Sequence, residues 1–172
     1  FWDELAEKAV VAHPKDWRLL WEVAMGYYGA GSWGHMVDGS YQRGDHIRGS
    51  RRVNAYERDR IRALQLMKQA MSHVPKGADP IAVGWFYENF SKVLVSGGGS
   101  GRMQMLTNLS ELPDHDAPVH SGRNSLAPVD ADNRPVVYKS PKRWKNARDD
   151  GERWRLLMRR AGEANPARKL AI

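Results

Sequence analysis

The chain has 172 residues, of which 41% are hydrophobic, and its formal net charge is +7. That apolar content is enough for one core of ordinary size, which excludes a globally disordered chain, and no apolar run approaches the roughly 20 residues that span a bilayer. The absence of cysteine excludes disulfides, zinc–thiolate sites and a cysteine nucleophile. The basic balance favours acidic partners, nucleic acid among them.

The first half of the chain predicts three amphipathic helices that are interrupted by one long polar stretch. Residues 1–12 and 14–29 carry apolar side chains at helical spacing, and a proline opens the second of these helices. The Gly-, Arg- and Tyr-rich residues 29–53 predict a loop insertion. Residues 54–73 predict a third helix, with Asn54 as its N-cap.

The second half predicts a well-bounded helix and then a long irregular segment. Residues 80–95 follow an Asp N-cap and begin with proline, as helices often do. A second insertion over about 97–139 contains a short predicted helix around 102–111. Within it, residues 129–137 allow a small β-hairpin, because a polar centre separates β-branched residues. A final helical region is predicted over 140–164.

One spacing recurs three times along the chain. Each set begins with an apolar residue, which is either bulky or small. A second apolar residue follows four positions later, an alanine three positions after that, and a proline five positions after the alanine. The first three members share one helical face, and the proline stands where the helix ends. The three sets are Trp2, Ala6, Ala9 and Pro14; Ala63, Met67, Ala70 and Pro75; Trp154, Met158, Ala161 and Pro166.

These spacings resemble those on the second helix of the tetratricopeptide repeat, and Trp17 and Leu20 are similar to residues of its first helix. Trp21 departs from the family, which has a small Gly there, and the prolines lie much further apart than the roughly 34 residues of a regular array. The resemblance implies an all-α fold: tetratricopeptide-like helix pairs, an α-α superhelix, with the two loop insertions, in a single domain over 1–172. The alternative is an amphipathic α-bundle with proline-started helices.

The whole chain also resembles a helical segment of very large bacterial alpha-2-macroglobulin-like proteins. The resemblance implies a scaffold or docking module of a secreted or periplasmic protein, whose reactive thioester cysteine would lie elsewhere. We therefore expect the chain, which starts at Phe1 and stops soon after Pro166, to be an excerpt of a longer protein. The strings that carry the resemblance are PKDWRLLWEVA, RRVNAYERDRIRALQLMKQAM, LTNLSELPD, APVDADNRPVVY and KNARDDGERWRLLM.

Three local motifs suggest chemistry only weakly. Residues 29–34 match GxGxxG, but they follow a helix, whereas a dinucleotide-binding fold needs a strand there. A loop cluster of Asp114, His115, Asp116 and His120 has metal-ligand types without a fixed helical spacing. Residues 130–141 lack the Gly and Glu of a calcium loop. We expect no metal, no cofactor and no catalysis, and we read the acids at 57, 59, 149, 150 and 152 as surface ion partners.

Two basic stretches support an alternative function in nucleic-acid binding. Seven arginines lie between residues 43 and 62, and nine Lys or Arg lie between 139 and 160 with aromatic residues among them. Arginine beside aromatic rings suits phosphate contact and base stacking. Against this, Arg58 and Arg62 are one turn apart, which is typical of the solvated face of a helix.

The preferred prediction is a non-catalytic protein-interaction or scaffold module. Exposed aromatic residues with arginine are typical anchors of protein interfaces, although each aromatic is equally suited to a core. The enzyme hypothesis stays open and requires a pocket with convergent ionisable groups. The candidate partner-binding residues are Trp21, Tyr28, Trp33, Tyr41, Arg51 and Arg52.

Overall fold

The computed structural model describes residues 2–44, 49–119, 129–134 and 136–166. Within them the chain forms six α-helices, a three-stranded sheet and a short 3-10 turn at Trp144–Asn146. The elements are α1 Trp2–Ala12, α2 Trp17–Gly29, β1 Trp33–Val37, β2 Ser40–Arg43, β3 Arg51–Asn54, α3 Tyr56–Met71, α4 Pro80–Val95, α5 Gly99–Met103 and α6 Asp150–Ala164. The prediction of an all-α fold is wrong, because residues 29–53, predicted as a loop insertion, contain the sheet.

The sheet has the order β2-β1-β3, and both pairings are antiparallel. Strands β1 and β2 are joined by Asp38 and Gly39 alone, whose φ angles are 47° and 77°. Positive φ at both positions is the geometry of a tight hairpin turn whose twist matches that of the strands, and Asp-Gly is a favoured pair for it. The local sequence VDGS therefore accounts for a hairpin that the periodicity of the flanking residues did not reveal.

The small hairpin predicted at residues 129–137 stays a prediction, because the segment is described only in part. The described part of this segment forms a turn, in which the Asp130 amide donates to the Arg134 carbonyl at 2.9 Å. The Asp130 side chain accepts from the amides of Asp132 and Arg134, so it organises the turn, and Val129 before it forms a β-bridge. Pro135 lies outside the described residues.

The chain divides into two compact units. The first unit comprises Phe1–His73 and Leu109–Val119, and in it α2 packs against α3. Its fully buried apolar side chains include Leu20, Ala24, Val53, Ala63, Leu64, Leu66, Met67 and Ala70.

The second unit comprises Val74–Asn108 and His120–Ile172, and in it α4 packs against α6. Phe90 and Trp144 stack with ring centroids 5.0 Å apart. None of the described helices combines the length and apolar character that crossing a bilayer requires. The fully buried apolar side chains of this unit include Phe86, Phe90, Val93, Leu94, Leu156 and Leu157.

The helix starts show which local signals were interpreted correctly. The start of α4 is confirmed, since Asp79 caps it and Pro80 is its first residue. Helix α2 starts three residues later than predicted, because the Asp16 carboxylate caps it by accepting from the amides of residues 18 and 19. Asn54 belongs to β3 rather than forming the cap of α3, although its side chain still accepts from the Tyr56 amide.

Two further expectations about helices need correction. The short helix predicted around 102–111 is instead α5, which ends at Met103. The carboxylates of α6, expected at the surface, are buried: Asp150 is 0% exposed and accepts from the Thr107 amide and hydroxyl. Glu152 is also buried and pairs with Arg148. Of the recurring sets, the one in α3 has its three helical members, Ala63, Met67 and Ala70, fully buried, whereas Pro75 is exposed.

Candidate functional site

Arg43 stands at the centre of an ion-pair network in the first unit. Its Nη1 and Nη2 donate to the two carboxylate oxygens of Asp59 at 2.8 and 2.9 Å. Its Nε and Nη2 donate to Asp3 at 3.2 and 2.6 Å, and Nη1 also reaches the Gly31 carbonyl. The side chains of Arg43 and Asp59 are only 14% and 8% exposed. The network thus joins α1, β2 and α3 through one shielded guanidinium.

The sheet positions this guanidinium. Residues that pair across antiparallel strands lie on the same face, so Tyr41 and Arg43 share a face of the sheet with Gly34. The rings of Trp2 and Tyr41 lie 5.7 and 5.3 Å from the Arg43 guanidinium, which adds cation–π attraction. A Cβ at Gly34 would come within 2.5 Å of the Tyr41 ring and 2.4 Å of the Gln42 carbonyl oxygen, so glycine is required there.

A second ion pair lies beside the first. Glu7 on α1 accepts from Arg62 Nε and Nη2 at 2.7 and 2.5 Å and from the Tyr27 hydroxyl at 2.8 Å. Partial burial raises the pKa of Glu7, but the bonds from Arg62 and Tyr27 outweigh it, so the net pKa lies below its ordinary value. This carboxylate is therefore ionised at neutral pH.

The two ion pairs border a cavity of about 580 Å³ in the first unit. Its lining includes ionisable groups, the aromatic rings of Tyr27 and Tyr41, and Leu112. On one side His115 stacks against Tyr41 with ring centroids 4.5 Å apart. We call this space the Arg58 cavity. It is lined by Asp3, Glu7, Tyr27, Ser40, Tyr41, Arg58, Asp59, Arg62, Leu112 and His115.

Burial and neighbouring charges set the pKa values of the groups in this cavity. Burial raises the pKa of Asp59 despite its bonds to Arg43, yet both of its oxygens are engaged. Burial and the bond to Glu7 raise the pKa of Tyr27, so this phenol stays protonated. Burial and the nearby Arg58 charge lower the pKa of His115, so its imidazole is neutral at pH 7. The bonds from Arg43 thus occupy the Asp59 carboxylate, and His115 is the neutral imidazole of the cavity.

The suspected metal cluster serves another purpose in the structure. The Asp116 amide donates to the Asn54 carbonyl, and its carboxylate accepts from the Asn54 amide at 3.0 Å. Arg51 also donates to Asp116 at 3.0 Å. These bonds hold residues 114–116 against β3. His120 lies outside the described residues, and no group of metal-ligand side chains assembles within the described ranges.

The six candidate partner-binding residues lie in three places. Trp21 and Tyr28 are half-buried on α2, where the Trp21 ring stacks on Trp17 with centroids 6.0 Å apart. Tyr41 lines the Arg58 cavity, and Arg51 pairs with Asp116. The remaining two, Trp33 and Arg52, lie together on the opposite face of the sheet from Tyr41.

Trp33 and Arg52 form an exposed stacked pair. The Arg52 guanidinium lies 4.2 Å from the centroid of the Trp33 ring, and Trp33 is 49% exposed. Gln42 pairs with His35, the next residue of β1 on this face, and Gln42 is exposed there. We call Trp33, Gln42 and Arg52 the outer sheet face. Arg52 forms no ion pair within the described residues, so its charge is available to a ligand.

Most other arginines of the two basic stretches are paired inside the units. In the first stretch Arg60 pairs with Glu57, a buried acid expected at the surface. In the second, Arg153 pairs with the buried Asp150 and lies over Trp144. Because these charges are neutralised by nearby carboxylates, the number of basic residues in the two stretches overstates what a phosphate backbone would meet.

The residues that sequence reasoning missed are those of the Arg43 network. Arg43 was counted only as one basic residue of a stretch, and Asp3 was not singled out. No local spacing links positions 3, 43 and 59. Their contact could be predicted only if it were already known that residues 33–54 form a sheet. Comparisons with protein-family models, curated proteins and solved structures find no match to this chain.

Proposed function

We propose that the chain is a non-catalytic protein-binding or scaffold module of a larger alpha-2-macroglobulin-like protein, with the outer sheet face as its contact surface. The observation that carries the proposal is the exposed pair of Trp33 and Arg52. Tryptophan and arginine are enriched among the residues that dominate binding energy in interfaces. A half-exposed tryptophan with a stacked guanidinium offers both apolar area and a charge-assisted hydrogen bond.

The chemistry of this pair indicates the partner. Arg52 presents an unneutralised guanidinium, which favours a carboxylate, while the Trp33 ring favours an apolar or aromatic neighbour. The partner is therefore an acidic protein segment with apolar residues beside its carboxylates. It belongs either to a separate protein or to a neighbouring domain of the same chain, in the periplasm or outside the cell if the macroglobulin resemblance holds.

The state of the ionisable groups supports binding over catalysis. The carboxylates that line the Arg58 cavity accept hydrogen bonds from Arg43 and Arg62, which keep them from acting as bases. No hydrogen bond joins Ser40 to His115 in the described part of the chain, so these two do not form a nucleophile–base pair. The pairing of most arginines likewise gives the nucleic-acid alternative less support.

Selection of peptides on the immobilised chain tests the proposal. A random peptide library should yield binders rich in Asp or Glu next to apolar residues. The recovered peptides should bind Arg52→Met at least about tenfold more weakly, because the charge-assisted bond is lost. Arg18→Met is the matched control, since Arg18 is also exposed and lies over a tryptophan, at 5.5 Å from the Trp17 centroid. Peptides without acidic residues, or equal binding by both variants, would count against the proposal.

A further inference from the structure

One guanidinium at the Arg58 cavity differs from the others in its contacts. Arg58 is half-buried on α3, and its guanidinium donates to the Pro113 carbonyl at 2.5 Å. It forms no ion pair within the described ranges. Shielded charges in proteins are normally paired, because removal from water is costly without a counter-ion. The other two guanidinium groups at the cavity, Arg43 and Arg62, are fully engaged with carboxylates.

We propose that this cavity binds the carboxylate group of a monoanionic ligand, with Arg58 as the counter-ion and a small apolar body held against Tyr27, Tyr41 and Leu112. A volume of about 580 Å³ lies within the range of ordinary ligand sites, roughly 300–1,000 Å³. The carboxylate would accept two parallel hydrogen bonds from the remaining donors of Arg58. Ser40 and His115, which make no hydrogen bond that competes within the described residues, supply further polar contacts.

The surroundings select a single negative charge. Asp3, Glu7 and Asp59 also line the cavity, and their charges are balanced only by Arg43 and Arg62 together with Arg58. The charges around the cavity are therefore balanced as they stand, and only Arg58 lacks a direct ion pair within the described residues. A phosphate dianion would add twice the negative charge that one carboxylate adds, so the single carboxylate is favoured. The inference is independent of the proposed protein-binding surface, because Tyr41 and Arg43 lie on the opposite face of the sheet from Trp33 and Arg52.

His115 provides a direct readout of occupancy. The charged groups that act on its ring are Arg58, Asp3, Asp114 and Arg43, and Arg58 is the strongest of them. A bound anion at Arg58 offsets the effect of this positive charge. The pKa of His115 should therefore rise when the ligand binds.

The test follows the His115 ring proton by NMR while the whole chain is titrated with sodium benzoate. Benzoate should raise the His115 pKa, whereas benzamide, which has the same shape without the charge, should not. His115→Gln assigns the signal. If benzoate leaves the His115 pKa unchanged, or if benzamide acts equally, the proposal is overturned; inorganic phosphate should act more weakly than benzoate.

Substitution of the cation gives a second arm. Arg58→Met should weaken benzoate binding by about tenfold or more, and Arg18→Met should leave it unchanged. Equal benzoate binding by the Arg58 variant would overturn the proposal, and the wild-type comparison of benzoate with benzamide decides the matter if that variant does not fold.

Two peptides, one with Glu and one with Gln between leucines, test whether the bound carboxylate belongs to a protein side chain or to a free organic acid. Tighter binding of the Glu peptide than of benzoate, lost in Arg58→Met but kept in Arg52→Met, identifies an acidic side chain as the cavity's ligand. Benzoate binding without Arg58-dependent peptide binding identifies a free organic acid.

Discussion

The arginines of this protein contribute unequally to the free energy of unfolding, and the buried ones contribute most. Arg43 and Asp59 are shielded from water and joined by two bonds, so loss of the guanidinium strands a buried carboxylate. We expect Arg43→Met to reduce the free energy of unfolding by about 3 kcal/mol or more. Arg51→Met, which breaks an exposed pair with Asp116, should cost less than about 1 kcal/mol. Urea denaturation of both variants measures the difference, and equal losses would contradict the central place of Arg43.

The pH dependence of stability reports on Glu7. Its pKa in the folded state lies below the ordinary 4.5, so its ionised form contributes stability that is present above pH 4.5 and lost as pH falls through the lower folded value. Wild type should therefore exceed Glu7→Gln in free energy of unfolding at pH 7, and the gap should narrow towards pH 3. A gap that stays constant over this range would show that the carboxylate charge contributes nothing.

The roles of these residues could not be predicted from the sequence. Arg43 lies 40 positions from Asp3 and 16 from Asp59 along the chain. Local spacing reveals pairs such as Arg60 with Glu57, three residues away on one helix, but not pairs that depend on tertiary structure. For the same reason Asp150 and Glu152 were expected at the surface, although α6 buries both.

Among the elements, helices were easier to predict than strands. The start of α4 follows from an Asp cap and an N-terminal proline, which act within four residues. The strands of the sheet are only four or five residues long and contain three arginines and other polar residues, so hydrophobic alternation is weak. Asp38-Gly39 was the informative local signal, because this pair suits a turn with two positive φ angles.

The turn between β1 and β2 gives a prediction at this scale. Gly39 has a φ of 77°, which side chains with a branched Cβ disfavour. We expect Gly39→Val to lower the free energy of unfolding by about 1–2 kcal/mol. Gly77→Val is the control, since Gly77 is also exposed, does not have a positive φ and has open space around its Cβ position. Equal thermal stabilities of the two variants would mean that the turn places no such constraint on the hairpin.

For the whole molecule, the sequence predicted the helical content, but it did not predict the sheet that lies within residues 33–54. The described residues form two units, each built around a helix pair: α2 with α3, and α4 with α6. The sheet lies between α2 and α3 in the chain, and it creates the two surfaces on which the proposals rest. One of its faces borders the Arg58 cavity, and the other presents Trp33 and Arg52.

The most direct test of the protein-binding proposal compares two tryptophans of similar exposure. Trp33 is 49% exposed on the outer sheet face, and Trp85 is 45% exposed on α4 of the other unit. The dissociation constant of a selected acidic peptide is measured by titration calorimetry for wild type, Trp33→Ala and Trp85→Ala. The proposal predicts an affinity loss of about tenfold or more for Trp33→Ala and none for Trp85→Ala. Unchanged affinity of Trp33→Ala, in a variant that is still folded, would contradict it.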